Sequence, residues 1–576
     1  MALFLPVTRL AGFATKVLVP LAPLPALCLA LFGPADGGAV FEWWMLGSRF
    51  GFGPAGQVFL LLTGALWLVA GIYGRGYLAE DPRGGRFHGF FLLTMAGNIG
   101  LILARDVPAF YTFFAVMTFA AYGLVIHADT PAARRAARIY LIAAVVGEAL
   151  LLGAIFLAVQ TAQSTRITDI GPAVAVSESR NLIMFLAFFG FGVKAGALPF
   201  HFWLPLAHPV APAPASAVLS GAMIKAGLLG WLHFLPLGQG EFPAWSSFCI
   251  VAGLVAAFGA VVVGCAQTDS KTTLAYSSIS QMGVMTAMVG VGLAGEEAWV
   301  VTLPVLLLYA LNHGLAKGAL FLGAGMAPSV GRSGIGRWVF VAGLAMAALA
   351  IAAAPWTGGA VAKDALKAAV NVVGAGASAP LVEWLGRLLP LTTAATSLLL
   401  GRFFWLEWRA LRGERQGRLH PSMWLSWLIL LLGLTVAVGF STSRYGFDIP
   451  GFSASVPTIW KGLWPILLGL ALLLVGRRLL AGKADRPAFP KGDVVVWFEG
   501  LAGWMRAWSR EFPVPGPSHW HLNFAEPLER LAESERRSDF ANRMERKLRY
   551  RSVAGVLFML LLLAFVALLV FGSSAR

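Results

Sequence analysis

The chain has 576 residues, of which 58% are hydrophobic and only 12% charged, and its mean hydropathy is +0.74. A soluble domain of that composition would be covered in exposed apolar surface, so the chain belongs in lipid. The formal net charge of +16 raises nucleic acid as a partner. The arginines, however, sit in short segments between apolar runs, where membrane orientation accounts for them better. Cys28, Cys249 and Cys265 are scattered in apolar runs with no CxxC spacing, so neither a disulfide framework nor a metal or iron–sulfur centre has support, and no cofactor is expected.

Apolar runs long enough to cross a hydrocarbon core of about 30 Å are predicted near 17–33, 55–73, 88–104, 107–127, 138–160, 181–199, 214–235, 246–266, 274–293, 299–325, 337–372, 384–402, 424–440, 457–475 and 553–572. That is an all-α polytopic membrane protein of about 15 transmembrane helices, with boundaries good to about ±2–4 residues. Arg9 and Lys16 ahead of the first run could mark a signal peptide, but LFGPADGG offers no small-x-small cleavage site, and an uncleaved first crossing is expected. If the crossings alternate, Arg9, Lys16, Arg75, Arg83, Arg86, Arg134, Arg135, Arg138, Lys271, Arg332, Arg337 and the Arg402–Arg418 cluster share one face. The other face carries Glu241, Glu296 and Glu297. Because cytoplasmic loops retain Lys and Arg, this predicts a cell (inner or plasma) membrane protein with its N-terminus cytoplasmic and its C-terminus outside.

Residues 476–552 differ in composition. Val494, Trp497, Phe498, Leu501, Trp504, Met505 and Trp508 recur at helical spacing with Arg506 and Arg510 opposite, predicting a lateral helix in the membrane interface or along a neighbouring subunit. Residues 526–550 form a charge-rich helical stretch that reads as a solvated connector.

Inside the apolar runs stand Glu148, Lys194, Lys225, Lys317 and the pair Lys363 and Asp364. An ionisable group at bilayer depth costs several kcal/mol and is a functional candidate by default. One such lysine could be a structural ion pair; four on four helices read as a series. Desolvation disfavours an ammonium and a nearby carboxylate favours it, so a lysine whose acid approaches and withdraws can take up and release a proton. His201, His208, His233 and His313 lie in or beside the same runs as gating or relay groups. A hydrogen-bonded packing role is the plainer account of a lone histidine, but His313 sits one turn before Lys317 on the same helix face. Pro199 follows Lys194, and Pro355 with Gly358 and Gly359 precedes Lys363. Both lysines therefore adjoin expected breaks in crossing helices, which admit water at membrane depth and point to inverted repeats around an ion path.

The segments KAGALPFHFWLPLAHPVAPAPASAVLSGAMIKAGLLG at 194–230, QTDSKTTLAYSSISQMG at 267–283, LNHGLAKGALFLGAG at 311–325 and APWTGGAVAKD at 354–364 resemble the antiporter-like proton-conducting subunits. These are the large antiporter-like subunits of respiratory complex I, the Mrp cation/proton antiporters, and the membrane subunits of formate hydrogenlyase and other group 4 hydrogenases. The AHPVAP and SGAMIK wording is most similar to the hydrogenase-type branch. The resemblance implies two inverted five-helix repeats with broken helices, placed at 88–235 and 246–402. Around them lie N-terminal helices at 1–87, further helices at 403–480, the amphipathic segment at 481–552 and a final anchor at 553–576.

It also implies roles for particular residues. Lys194 is then the lysine of the first broken helix, Lys225 the connecting lysine, His313 and Lys317 the relay of the second repeat, and Lys363 with Asp364 the exit pair. The family's usual glutamate is missing, with Ala115 at its position, and Glu148 is the expected replacement; a protonated, hydrogen-bonded Glu148 in a helix contact is the alternative. The function implied is proton translocation within a larger energy-converting complex, as the ion-moving subunit of an oxidoreductase-type translocase with no redox centre of its own. Two alternatives remain open: Na⁺ or K⁺ exchange for H⁺ in an Mrp-like assembly, and a non-conducting scaffold for a partner enzyme. Other membrane subunits, along the 494–510 helix among other places, are the partners implied.

Overall fold

The computed structural model describes residues 17–34, 37–44, 47–331, 334–372, 379–413, 419–444 and 456–479. They fall in one compact unit, Met1–Val496. The expected lateral helix at 494–510, the charged stretch 526–550 and the crossing at 553–572 lie outside the described residues.

After a helical turn at Val19–Leu21 come α1 (Leu24–Phe32), a hairpin of β1 (Gly38–Phe41) and β2 (Ser48–Gly51), and α2 (Pro54–Tyr77). Then follow α3 (Gly84–Leu103), α4 (Val107–Val125), α5 (Pro131–Ala162), the short α6 (Ile167–Val176), α7 (Arg180–Ala195), α8 (Leu204–Val210), α9 (Ala213–Val218) and α10 (Ile224–Phe234). The second stretch comprises α11 (Pro243–Cys265), α12 (Ser270–Gly292), α13 (Glu296–Met326), α14 (Ile335–Ile351), α15 (Gly358–Val372) and α16 (Ala379–Ala410), followed by α17 (Pro421–Arg444) and α18 (Val456–Leu479). Every crossing predicted between 17–33 and 457–475 falls on these helices, and ten spans among the described residues are both long and apolar enough to cross a bilayer. α12 drops out of those ten because its Thr, Ser and Gln residues lower its hydropathy, although it is buried along its length. The antiparallel hairpin, paired Gly38 to Gly51, and the short helices α6 and α8 are elements the sequence reading did not include.

Helix starts follow local chemistry. Asp106 accepts a hydrogen bond from the Ala109 amide at the start of α4, Thr130 from Ala133 at α5, where proline takes the first helical position, and Asp269 from Thr272 at α12.

Two crossings are interrupted. α7 ends at Gly196, whose φ of +72° is the left-handed conformation that closes a helix; a 3₁₀ turn at Phe200–Trp203 leads into α8. The other break spans Ala352–Thr357 between α14 and α15, with Ala353 and Trp356 at φ of 56° and 63°. Gly359 belongs to the restart rather than to the gap. The Ala350 carbonyl stands where a Cβ would be, so only glycine lets α15 begin there. Between residues 84 and 234, and again between 243 and 410, the chain makes five crossings of which the fourth is broken. Five is odd, so the second set starts from the opposite face and runs inverted.

The loops sort by face as alternation requires. On the basic face, Arg83 pairs with Asp129 at 3.8 Å and Asp81 meets His127 Nε2 at 2.8 Å, joining the α2–α3 and α4–α5 loops. Burial holds the His127 imidazole below its ordinary pKa despite that carboxylate. On the other face, the Arg105 amide donates to the Arg49 carbonyl and the Ile167 amide to the Arg105 carbonyl. Arg49, Arg105 and Arg166 therefore cluster there, and the division of charge between faces is less complete than the sequence reading implied.

Candidate functional site: a row of buried lysines

Lys194, Lys225, Lys317 and Lys363 are all buried, with exposures from 0% to 8%. Around the first of them, α4, α5, α7 and the turn after the break enclose a cavity of ≈ 10 Å³ lined by Phe114, Thr118, Tyr140, Glu148, Lys194 and Trp203, among others. That is about the room one water needs. Lys194 Nζ donates to the Tyr140 hydroxyl at 2.9 Å, and that hydroxyl donates to the Thr118 carbonyl at 2.7 Å. Glu148 faces the same cavity within electrostatic reach of Lys194, with Thr118 and Tyr111 around its carboxylate.

The centre is assembled by close helix approach. Gly221 and Gly314 pack backbone on backbone, each standing where the other's Cβ would collide, as small residues allow in membrane helix pairs. Four residues beyond Gly221 and one before Gly314, Lys225 Nζ and His313 Nδ1 come to 2.8 Å. The π-turn Leu219–Met223 offers the Ser220 carbonyl to the same ammonium at 2.8 Å. Ser220 Oγ meets Ser278 Oγ at 2.7 Å, Ser278 Oγ donates to the Leu274 carbonyl at 3.1 Å, and Lys317 Nζ donates to that carbonyl at 2.8 Å. Lys225, His313 and Lys317 thus form one hydrogen-bonded group. Gly227 packs on the Ala195 and Phe191 backbone, which puts Lys225 and Lys194 on touching helices.

Lys363 Nζ donates to Thr393 Oγ1 at 2.7 Å. One turn along α16, Thr396 Oγ1 accepts from Gln281 Nε2 at 2.9 Å, and Gln281 Oε1 accepts from the Tyr309 hydroxyl at 2.6 Å. Tyr309 lies one turn before His313 on α13. Threonine, glutamine and tyrosine therefore bridge the space between the central group and Lys363, and none of them was singled out from sequence, because isolated neutral polar residues in apolar helices have too many other uses. With the bridge removed, the Tyr309 hydroxyl loses its buried acceptor, at a cost of about 1–3 kcal/mol, whereas Thr396 keeps its bond to the Thr392 carbonyl. Gln281→Leu also breaks the link between Tyr309 and Thr396, and should slow transport about tenfold, less than a proton-transferring group itself contributes, while the purified protein keeps its helix content by circular dichroism; an unchanged rate would remove Gln281 from the path.

The remaining candidates are dispersed. Asp364 lies on the exposed side of α15, near Lys367 and Lys461, so it does not share the surroundings of Lys363. His208 is fully buried and stacks on Phe321 at 4.5 Å between ring centroids. His201 is buried in the 3₁₀ turn beside the first break, while His233 packs edge-on against Phe110 near the opposite face. Among the described residues no group of three or more His, Cys, Asp or Glu is arranged to hold a metal ion.

A polytopic membrane protein with broken helices in corresponding places and a buried cationic row is the class that fold and site define. Residues 104–372 match the family described as NADH:quinone oxidoreductase/Mrp antiporter, transmembrane, and the antiporter-like resemblance holds over that span. Hydrogenase-4 component B of Escherichia coli (strain K12) is 34% identical over 281 residues, 46% of this chain and 41% of that protein. Na(+)/H(+) antiporter subunit A1 of Staphylococcus aureus (strain N315) is 31% identical over 279 residues, 46% of this chain and 35% of that one. The matched region thus spans less than half of either relative. The fold is shared with a chain of the Mrp complex from Dietzia sp. DQ12-45-1b, at TM-score 0.70 and 23% identity over 88% of this chain and 59% of that one. It is shared also with a chain of the membrane-bound sulfane sulfur reductase, an archaeal respiratory membrane complex, at TM-score 0.60 and 17% identity over 82% and 96%.

Proposed function

We infer that this chain translocates protons as one membrane subunit of a larger energy-converting complex. The observation that carries the reading is the hydrogen-bonded group of Lys225, His313 and Lys317, extended toward Lys363 by Tyr309, Gln281, Thr396 and Thr393. Buried ammonium groups are poor stabilisers. Four of them strung between hydroxyls and an imidazole suit a path along which protons are handed on.

In this reading Glu148 tunes Lys194, Lys225 connects the halves at 88–235 and 246–402, and His313 with Lys317 serves the second half. Lys363 stands at the end of the row, with Asp364 beyond it on the exposed side, and His201, His208 and His233 act as gating groups. The basic face is assigned to the cytoplasm on the positive-inside rule. Partners are other membrane subunits, as the multi-subunit context in the names of the relatives supports. The reaction that drives transport belongs to one of them.

Exchange of Na⁺ for H⁺ is the second reading, favoured by the likeness to an Na(+)/H(+) antiporter subunit. The intact complex reconstituted in vesicles with an internal pH dye distinguishes them. Acidification should be driven by the partner's reaction in Na⁺- and K⁺-free buffer; a strict requirement for either cation would favour exchange, and no ion movement at all would leave a scaffold.

A further inference from the structure

Lys194, in the last turn of α7, stands between two partners on one helix. Tyr140 and Glu148 both lie on α5, about 12 Å of rise apart, and both line the cavity that Lys194 enters. The lysine has taken the first. Its Nζ donates to the Tyr140 hydroxyl at 2.9 Å and lies over that ring at 5.2 Å from its centroid, within cation–π range, and among the described residues no ion pair joins it to Glu148. The phenol is fixed on both sides. Its hydroxyl hydrogen is committed to the Thr118 carbonyl at 2.7 Å, so its oxygen is left to accept from a donor. Its ring meets Trp203 edge-on at 5.1 Å between centroids, and the Trp203 indole donates at 2.8 Å to the carbonyl of Val193, the residue before Lys194. The two helices touch at the same level: a Cβ at Gly147 would stand 3.1 Å from the Val193 Cβ and 3.3 Å from the Gly190 carbonyl. A change of partner is therefore a swing of the flexible lysine stem rather than a movement of α7 against α5.

Taking Lys194 as a proton carrier, as the transport reading does, we propose that Tyr140 is its second partner, a positioning residue that holds the nitrogen off Glu148 and keeps their ion pair from closing permanently. The two partners differ in the way a carrier needs. A carboxylate stabilises the ammonium form through its charge. The phenol brings no charge and offers only a lone pair, which an N–H of either the ammonium or the amine can fill. On Tyr140 the nitrogen can therefore give one proton toward Lys225 on the touching α10, keep the electron pair of the broken N–H bond, and hold its place with one of the two N–H bonds that remain. Without the hydroxyl the ammonium has only the carboxylate to turn to, and a pair that never opens hands nothing on.

The test uses the intact complex, reconstituted in vesicles with an internal pH dye and imaged by cryo-electron microscopy. Tyr140→Phe keeps the ring against Trp203 and removes only the hydroxyl. Its rate should fall about tenfold, what one hydrogen bond to a charged group is worth, and its structure should show Lys194 Nζ within about 4 Å of a Glu148 oxygen. Shortening the acid should loosen that pair, so Tyr140→Phe combined with Glu148→Asp should run at least about threefold faster than Tyr140→Phe alone. A slow Tyr140→Phe protein with Lys194 still off Glu148, and no relief from aspartate, would overturn the proposal, because the hydroxyl would then matter only for packing. A Tyr140→Phe protein that pumps at the parental rate would overturn it too, as would one that fails to assemble, which would make Tyr140 a structural residue. Lys194→Ala, measured alongside, separates the two levels. If it abolishes transport while Tyr140→Phe is at the parental rate, only the role of Tyr140 falls; if Lys194→Ala itself pumps normally, the transport reading of the cavity falls with it.

Discussion

Lys194→Ala should abolish ion-coupled transport and leave the protein assembled. The side chain is the cation of the first cavity, where it donates to Tyr140 and faces Glu148. Alanine leaves that carboxylate without its counter-charge and the cavity without a group able to carry a proton onward to α10. Folding should survive, because a buried Glu148 that loses its counter-charge can take up a proton and become neutral rather than remain an unpaired charge, and because α7 still terminates at Gly196. Proton movement by the reconstituted variant should fall to the leak of protein-free vesicles, while size-exclusion chromatography shows the parental assembly. Parental pumping by a correctly assembled Lys194→Ala protein would end the relay reading of this cavity.

Glu148→Gln is expected to lower transport about 10²-fold, the low end of what one positioned proton-transfer group contributes. Glutamine keeps the volume and removes the charge, so the effect reports on the carboxylate rather than on packing. The compensating change is set by geometry. Ala115 is half-buried on α4, one turn after Tyr111 and one before Thr118, and those two side chains surround Glu148. A glutamate at 115 would therefore reach the same side of the cavity from the neighbouring helix. Adding Ala115→Glu to Glu148→Gln should recover about a tenth or more of the lost rate, a substantial part of that 10²-fold effect. If the double variant is as slow as Glu148→Gln in a proton-flux assay while folding normally, Glu148 acts through some contact other than Lys194.

The crossings were legible in the sequence because the bilayer imposes one length on every spanning helix: about 20 apolar residues rising 1.5 Å each. The interruptions were legible because proline cannot continue a helix, which is why Pro199 and Pro355 marked both broken crossings. The buried charges stood out because their cost in hydrocarbon makes them rare. Tertiary structure decided which of these groups meet. Lys225 and His313 are 88 positions apart, and Gln281 and Thr396 are 115 apart; their contacts depend on two helices crossing at Gly221 and Gly314 and on how α12 lies against α16. It also separated Lys363 from Asp364, adjacent in sequence but about 100° apart around a helix of 3.6 residues per turn. One of them therefore faces the row inside and the other the exposed surface of α15. Residue type records what a side chain can do at bilayer depth, and only the packing of helices far apart in the chain determines its partner.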